Sequence, residues 1–260
     1  MDSLQGKTAL ITGASSGIGA ALAREFARRG ADLILLARNQ ERLEAVQADC
    51  AKLGAGAVRL VAADITDYPA IDAFAPTVAG RIDFLVLNAG ISQRSLALET
   101  DEAVDRRVME VDFFAPVHLA KVLHAAGKWD RATHIAATSS ISGLFGFPQR
   151  SAYCAAKHAL KGYFEALQLE TGMKVTLLFP GRINTPISLS ALEGDGSVHG
   201  RMDPGQAGGM DADRCARRCV RAILRGRRQL LVGGRELLAC YLYKYFPRLF
   251  FKFIGKASVV

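Results

Sequence analysis

The sequence of 260 residues lacks most of the features that would set it outside ordinary globular proteins. It has one Trp and 8 Pro, no repeat and no low-complexity tract, and only 22% of its residues are charged, which excludes a fibrous or disordered chain. The five cysteines, Cys50, Cys154, Cys215, Cys219 and Cys240, are scattered and odd in number, which argues against a disulfide framework. Cys215 and Cys219 share a helical spacing, but no histidine or second cysteine pair accompanies them. No metal site is expected, and the thiols read as buried side chains in a reducing compartment. Long hydrophobic runs are also missing. The first apolar stretch, Thr8 to Thr12, is too short for the hydrophobic region of a signal peptide, so export is not expected. Leu237 to Ile254 is rich in Leu, Tyr and Phe but is interrupted by Lys244, Pro247, Arg248 and Lys252, whereas a membrane span needs about 20 mostly apolar residues.

Acidic residues are scarce in one place. Residues 201–260 hold 13 Lys plus Arg against 4 Asp plus Glu, so the net charge of +8 belongs to the C-terminal quarter, and the rest of the chain is close to neutral. A localised basic, apolar segment suits an acidic surface such as anionic lipid or a phosphate-bearing substrate, and does not suggest a nucleic-acid binder. Residues 235–260 therefore read in two ways. One is an amphipathic segment lying peripherally on an anionic membrane; the other is a segment packed over a substrate cleft or a subunit interface. The expected location is cytoplasmic, with peripheral membrane contact under the first reading.

Half of the residues are hydrophobic, and 25 are glycine. Short apolar runs recur at Thr8 to Ile11, Asp32 to Ala37, Val58 to Ala62, Ile82 to Leu87, His134 to Thr138, Val175 to Phe179 and Gln229 to Val232, separated by segments of helical period. This alternation predicts an α/β fold: one Rossmann-type domain over residues 1–260, built on a doubly wound, seven-stranded parallel sheet with helices on both faces. Arg182 to Gly209 breaks the pattern with Gly, Asp, Ser and Pro, and is expected to be a substrate loop or lid.

TGASSGIG, residues 12 to 19, follows the first strand and opens a helix. Gly13 serves the turn, Gly17 admits a pyrophosphate close to the backbone, and Gly19 allows close helix packing. After the second strand come Ala37 and Arg38, with no acid before Glu41. A guanidinium there suits a ribose 2′-phosphate and meets no carboxylate that would repel it, so NADP(H) is the expected cofactor. Asp64 is placed to bond an adenine edge, and Asn88-Ala89-Gly90 brings small residues to a strand end where the backbone must approach a ribose. Ser140 precedes Tyr153 by thirteen residues, and Tyr153 and Lys157 share a helix face. An ammonium beside a phenol favours the phenolate, and a serine hydroxyl can bond a carbonyl oxygen as charge develops on it. A core tyrosine followed by a snorkelling lysine would show the same spacing.

TGASSGIG, NAG, SSISG, YCAAK and PGRINT, in this order, resemble the motif set of the short-chain dehydrogenase/reductase family along nearly the whole chain. The resemblance implies that Ser140, Tyr153 and Lys157 are catalytic, with Tyr153 as the general acid. It also implies cofactor contacts from Ser15, Ser16, Ile18, Ile65, Tyr153, Lys157, Pro180, Gly181, Ile183 and Thr185, the last two near the carboxamide. Where the family has an Asn that supports a water in the proton relay, this chain has Asp112, a candidate that adds negative charge near Lys157. NAGISQRS, RRVMEVDFFAPV, GDGSVHGRMD and the aromatic tail resemble the dehydrogenase/reductase member 7 and 7B subgroup. Its members are membrane-associated enzymes of lipid, retinoid or steroid carbonyl reduction, including reduction of acyl- or alkyl-dihydroxyacetone phosphate. LLARNQERL and GLFGF are similar to 3-ketosphinganine reductases. The expectation is an NADPH-dependent reductase of a small lipophilic ketone or aldehyde, assembled as a homodimer or homotetramer. Two other readings stay open: a non-catalytic NADP(H)-binding sensor or membrane scaffold, and an alcohol dehydrogenase running in the direction of oxidation.

Overall fold

Apolar runs bounded by Gly, Asp and Asn are stable only where both faces of a strand are covered, and that requirement produces one parallel sheet here. In the computed structural model, which describes residues 3–254, the strands are β1 (Thr8–Thr12), β2 (Asp32–Ala37), β3 (Val58–Ala62), β4 (Phe84–Leu87), β5 (His134–Thr138), β6 (Lys174–Pro180) and β7 (Gln229–Val232). Their order is β3-β2-β1-β4-β5-β6-β7 and every pairing is parallel, so the doubly wound, seven-stranded sheet is present as expected. β4 starts at Phe84 and not at Ile82, because the Ile82 amide turns aside to the Lys128 carbonyl at 2.7 Å.

The helices are α1 (Gly17–Ala27), α2 (Gln40–Lys52), α3 (Tyr68–Phe74), α4 (Glu102–Met109), α5 (Ala115–Ala125), α6 (Ser151–Thr171), α7 (Pro204–Ala207), α8 (Ala212–Leu224), α9 (Leu238–Tyr245) and α10 (Pro247–Ile254). α1, α2 and α8 cover one face of the sheet through Leu22, Phe26, Leu43, Val46, Cys219 and Ile223. α3, α5 and α6 cover the other through Ile71, Leu119, Leu123, Leu160 and Phe164. α4 and α5 form one helical rod, broken by a π-helical turn at Glu110–Phe114. Single π turns inside α-helices are frequent at functional sites.

Residues 182–209 are not a bare loop. Leu192 exchanges backbone hydrogen bonds with the 92–94 segment at 2.8 Å, α7 lies within the region, and Arg94 closes on Asp203 with side chains 2% and 4% exposed. Among the described residues no helix is long and apolar enough to cross a membrane. The last part of the expected basic tail, residues 255–260, lies outside the described residues.

One core histidine couples the fold to pH. His134, at the start of β5, bonds the Thr176 hydroxyl at 2.8 Å, and burial, followed by the Lys174 ammonium, pushes its pKa down to about 4. A depressed folded value means that the stability is fully present above the unfolded value near 6.5 and is lost as pH falls toward 4. The contribution is at most about 3 kcal/mol. Thermal unfolding between pH 7 and 4 is therefore expected to show a smaller loss of Tm for His134→Gln than for the native chain; equal losses would exclude this coupling.

Candidate active site

The crevice lies at the carboxyl edge of the sheet, where β1 and β4 are neighbours although the chain leaves β1 in one direction and returns to β4 from the other. Thr12, the last residue of β1, ties the two together. Its hydroxyl accepts the Asn88 and Ala89 amides, both at 2.9 Å, while the Asn88 side-chain amide donates to the Thr12 carbonyl. The Asn88 side chain is thus spent on the sheet seam.

The glycine loop fits a dinucleotide. A Cβ on Gly19 would sit 2.2 Å from the Gly13 carbonyl oxygen, so only glycine lets α1 start this close to β1. α1 begins at Gly17 with Ser16 as N-cap, makes no side-chain cap bond and has no acid in its first turn. Its first amides and positive dipole end are left for an anion. A cavity of about 330 Å³ beside it is lined by Ser15, Ser16, Gly17, Arg24, Arg42 and Asn184. Arg42, on α2, escaped the sequence reading because no motif marks it.

The surroundings of Arg38 differ from expectation. The chain puts no acid beside Arg38, but the fold brings Asp64 from the β3 end to 3.8 Å from it. A second guanidinium, Arg107, reaches the same carboxylate at 3.3 Å, so two cations face one anion. Burial raises the Asp64 pKa, but the Thr66 hydrogen bonds, Arg107 and Arg38 outweigh it and hold the group below its usual value. Asp64 spends one oxygen on the Thr66 amide and hydroxyl and the other on these arginines. Ile65 beside it is buried in the core.

α6 carries Tyr153 and Lys157 inward, 7% and 3% exposed. The Lys157 ammonium lies 5.6 Å from the Tyr153 ring centroid, donates to the Thr138 carbonyl at 3.1 Å, and forms a 3.0 Å ion pair with Asp112. Asp112 sits in the π turn, and its other oxygen accepts the Ile91 amide at 2.7 Å. Burial drives the Asp112 pKa up against the Lys157 charge; burial also opposes the Lys157 charge, but Asp112 and Tyr153 outweigh it and hold the ammonium above its usual value. Gly90 keeps the pair uncrowded, since a Cβ there would lie 3.1–3.2 Å from both Asp112 oxygens and the Lys157 Nζ and would press on them. The expected conflict between Asp112 and the lysine is thus a direct ion pair, and the proton-relay position is occupied by a charge.

Ser140 follows β5. Its hydroxyl accepts the Ser142 amide at 3.1 Å and lies 3.5 Å from the Pro180 carbonyl. Ser139 bonds the Lys157 carbonyl at 2.9 Å, which fixes this turn to α6. Beyond β6, Gly181 packs on Glu236, and Gln206 of α7 donates to the Ile183 carbonyl and, at 3.2 Å, to the Thr185 hydroxyl. Gln93, Arg94, His199 and Asp203 lie in the NAGISQRS and GDGSVHGRMD stretches, which gave them no role. Gln93 caps α6 by accepting the Ala152 amide at 2.9 Å and donates to Ser151. Arg94 and Arg150 share Asp203, which also lies 3.2 Å from His199, so the 182–209 segment is pinned beside the helix that bears Tyr153. Apolar Ile91, Met109, Phe113 and Leu192 pack against the cluster of Val104, Val108, Ala152, Ala156 and Tyr153. Among the described residues no group of His, Cys, Asp and Glu is placed to hold a metal ion.

The family model described as short chain dehydrogenase matches residues 7–195. The chain belongs to the short-chain dehydrogenase/reductase family. Members are oxidoreductases that use a nicotinamide cofactor, and this short-chain dehydrogenase falls in the member 7/7B subgroup. It is 38% identical to dehydrogenase/reductase SDR family member 7B of Xenopus laevis, over 97% of this chain and 82% of the relative. It is 37% identical to dehydrogenase/reductase SDR family protein 7-like of Drosophila melanogaster, over 98% and 82%. A short-chain dehydrogenase from Sphingobium yanoikuyae in complex with NADPH superposes with a TM-score of 0.74 at 27% identity, covering 98% of each chain. An alcohol dehydrogenase from Thermococcus sibiricus complexed with 5-hydroxy-NADP gives 0.75 at 25% identity, over 88% and 97%.

Asp112→Asn removes the larger of the two charges that hold the Lys157 ammonium protonated and leaves burial opposed by Tyr153 alone. The alkaline limb of nicotinamide-dependent turnover is expected to move to lower pH by roughly 1 unit, while Asp112→Ala also loses stability. An unmoved limb in Asp112→Asn would show that the pair does not set the Lys157 charge.

Proposed function

We propose that this short-chain dehydrogenase is an NADPH-dependent reductase of lipophilic ketones or aldehydes. The observation that carries the reading is the Lys157 ammonium beneath the Tyr153 ring, on the helix to which Ser139 ties the turn that bears Ser140, with Arg38 and Arg107 at the β2–β3 end. The open α1 terminus and the Gly13, Gly17 and Gly19 cradle would hold the pyrophosphate, Arg38 and Arg42 a 2′-phosphate, and Lys157, Ile183 and Thr185 the nicotinamide end. The bound cofactor supplies a hydride to the carbonyl carbon.

The chain itself handles the proton and the charge. The Tyr153 phenol gives its proton to the carbonyl oxygen, and the Ser140 hydroxyl donates a hydrogen bond to that oxygen as charge builds on it. The Lys157 ammonium, beneath the phenol ring, faces the negative charge left on Tyr153, and Asp112 and the Thr138 carbonyl keep that ammonium in place. Ile91, Met109 and Leu192 beside Tyr153 offer an apolar wall that suits a greasy substrate.

Asp64, within reach of Arg38, speaks for the competing reading, an enzyme that prefers NAD and runs oxidation. The cofactor test separates the two. Arg38→Asp is expected to weaken NADPH binding on the order of 100-fold by fluorescence titration and to leave NADH nearly unchanged; equal effects on both would overturn the NADPH assignment. Tyr153→Phe is expected to lower turnover of a lipophilic ketone by at least about 100-fold with NADPH affinity intact. Retained turnover would remove Tyr153 from the chemistry. Native protein that binds NADPH but fails to oxidise it across a broad carbonyl panel would support a non-catalytic sensor.

A further inference from the structure

The two short helices that follow β7 are bound to the body by one face only. Phe250 of α10 is 1% exposed and meets Phe145 edge-on, with ring centroids 4.8 Å apart, and Tyr243 of α9 completes the cluster at 5.1 Å from Phe250. Cys240, Ile141, Leu144 and Phe147 pack around them. The inner face thus sits on the 141–147 turn that joins Ser140 to the start of α6.

The outer face is bare. Leu238, Tyr241, Tyr245, Phe246, Phe251 and Phe253 are each more than half exposed, and Phe251 and Phe253 flank the buried Phe250. A groove of about 450 Å³ runs among Leu238, Tyr241, Tyr245 and Phe246 and is also lined by Arg235 and Glu236, whose carboxylate is taken up by the Arg182 and Gly234 amides. Apolar surface of this density is rare on a soluble protein and marks an interaction site. Lys244, Arg248 and Lys252 are exposed among these rings, and no Asp or Glu follows Glu236 in the sequence.

The charge decides the occupant. A second copy docked face to face about a two-fold axis would set this cationic patch against its own image. A polyanionic surface with an apolar interior satisfies both halves of the pattern: lipid headgroups pair with the cations and the rings enter the headgroup boundary. We infer that the outer face of α9 and α10 is a docking surface for an anionic lipid bilayer. Docked in this way, α9 and α10 lie between the bilayer and the turn that follows Ser140. The surface stands on its own observations and does not depend on the reductase reading.

Co-sedimentation with vesicles tests it. The full chain is expected to pellet with vesicles of equal parts phosphatidylcholine and phosphatidylglycerol, to stay in solution with phosphatidylcholine alone, and to be released by salt. Lys244→Gln/Arg248→Gln/Lys252→Gln is expected to lose affinity on the order of 100-fold, and Phe246→Ser/Phe251→Ser/Phe253→Ser is expected to abolish binding. Phe250 and Tyr243 are untouched in both, so native Tm and native turnover of a water-soluble ketone are expected. Absence of native protein from the anionic pellet would overturn the proposal, as would binding indifferent to both variants. So would a sedimentation-velocity result in which the aromatic variant dissociates an oligomer that binds no vesicles, since a second copy would then be the occupant.

Discussion

A lysine ammonium buried at the carboxyl edge of the sheet has to be neutralised, and much of the site follows from the way this chain does it. Leaving such a charge unpaired in a low dielectric costs several kcal/mol. Lys157 is answered by Asp112 and by the Thr138 carbonyl, from two different elements. Each residue in a helix advances it by about 100°, so the register of Asp112 toward α6 depends on the wider π turn that holds it. The other Asp112 oxygen takes the Ile91 amide, and Gly90 yields the space. One charge therefore ties the β4 exit, the π turn, the β5 end and α6 into a single unit.

How far the fold was readable depended on whether its cause was local. All seven strands were readable, because a strand buried on both faces must be a short, continuous apolar run. The four-residue spacing of Tyr153 and Lys157 was readable because one helix turn fixes it. Asp112 stood out as a departure from the family pattern, but nothing near it in sequence says that it reaches Lys157, 45 positions away, or that the helix must widen to let it. The environment of Arg38 was misread for the same reason: Asp64 belongs to the next strand and only sheet pairing brings it close. Gln93 and Arg94 in NAGISQRS, and Asp203 in the expected lid, received no role, and their order comes from hydrogen bonds across the fold. In the tail, composition showed two chemical characters. Only packing on Phe145 showed that one apolar face is buried and that the cations share the other with the exposed rings.

The arrangement of charge along the crevice links these parts. At the β2–β3 end, Arg38 and Arg107 exceed Asp64 by one positive charge, the α1 terminus adds a positive dipole end with no acid in its first turn, and Arg24 and Arg42 outnumber Asp49 in the cavity beside it. At the Tyr153 end, Lys157 is balanced by Asp112 and the walls are apolar. Positive potential thus falls from one end of the crevice to the other, which favours an elongated ligand with its anionic groups at the first end and its reacting part in neutral, dry surroundings at the second. An unpaired ammonium at the second end would flatten that gradient and hold water beside Tyr153. Asp112 offsets that charge, so a residue that departs from the family pattern leaves the neighbourhood of Tyr153 close to neutral.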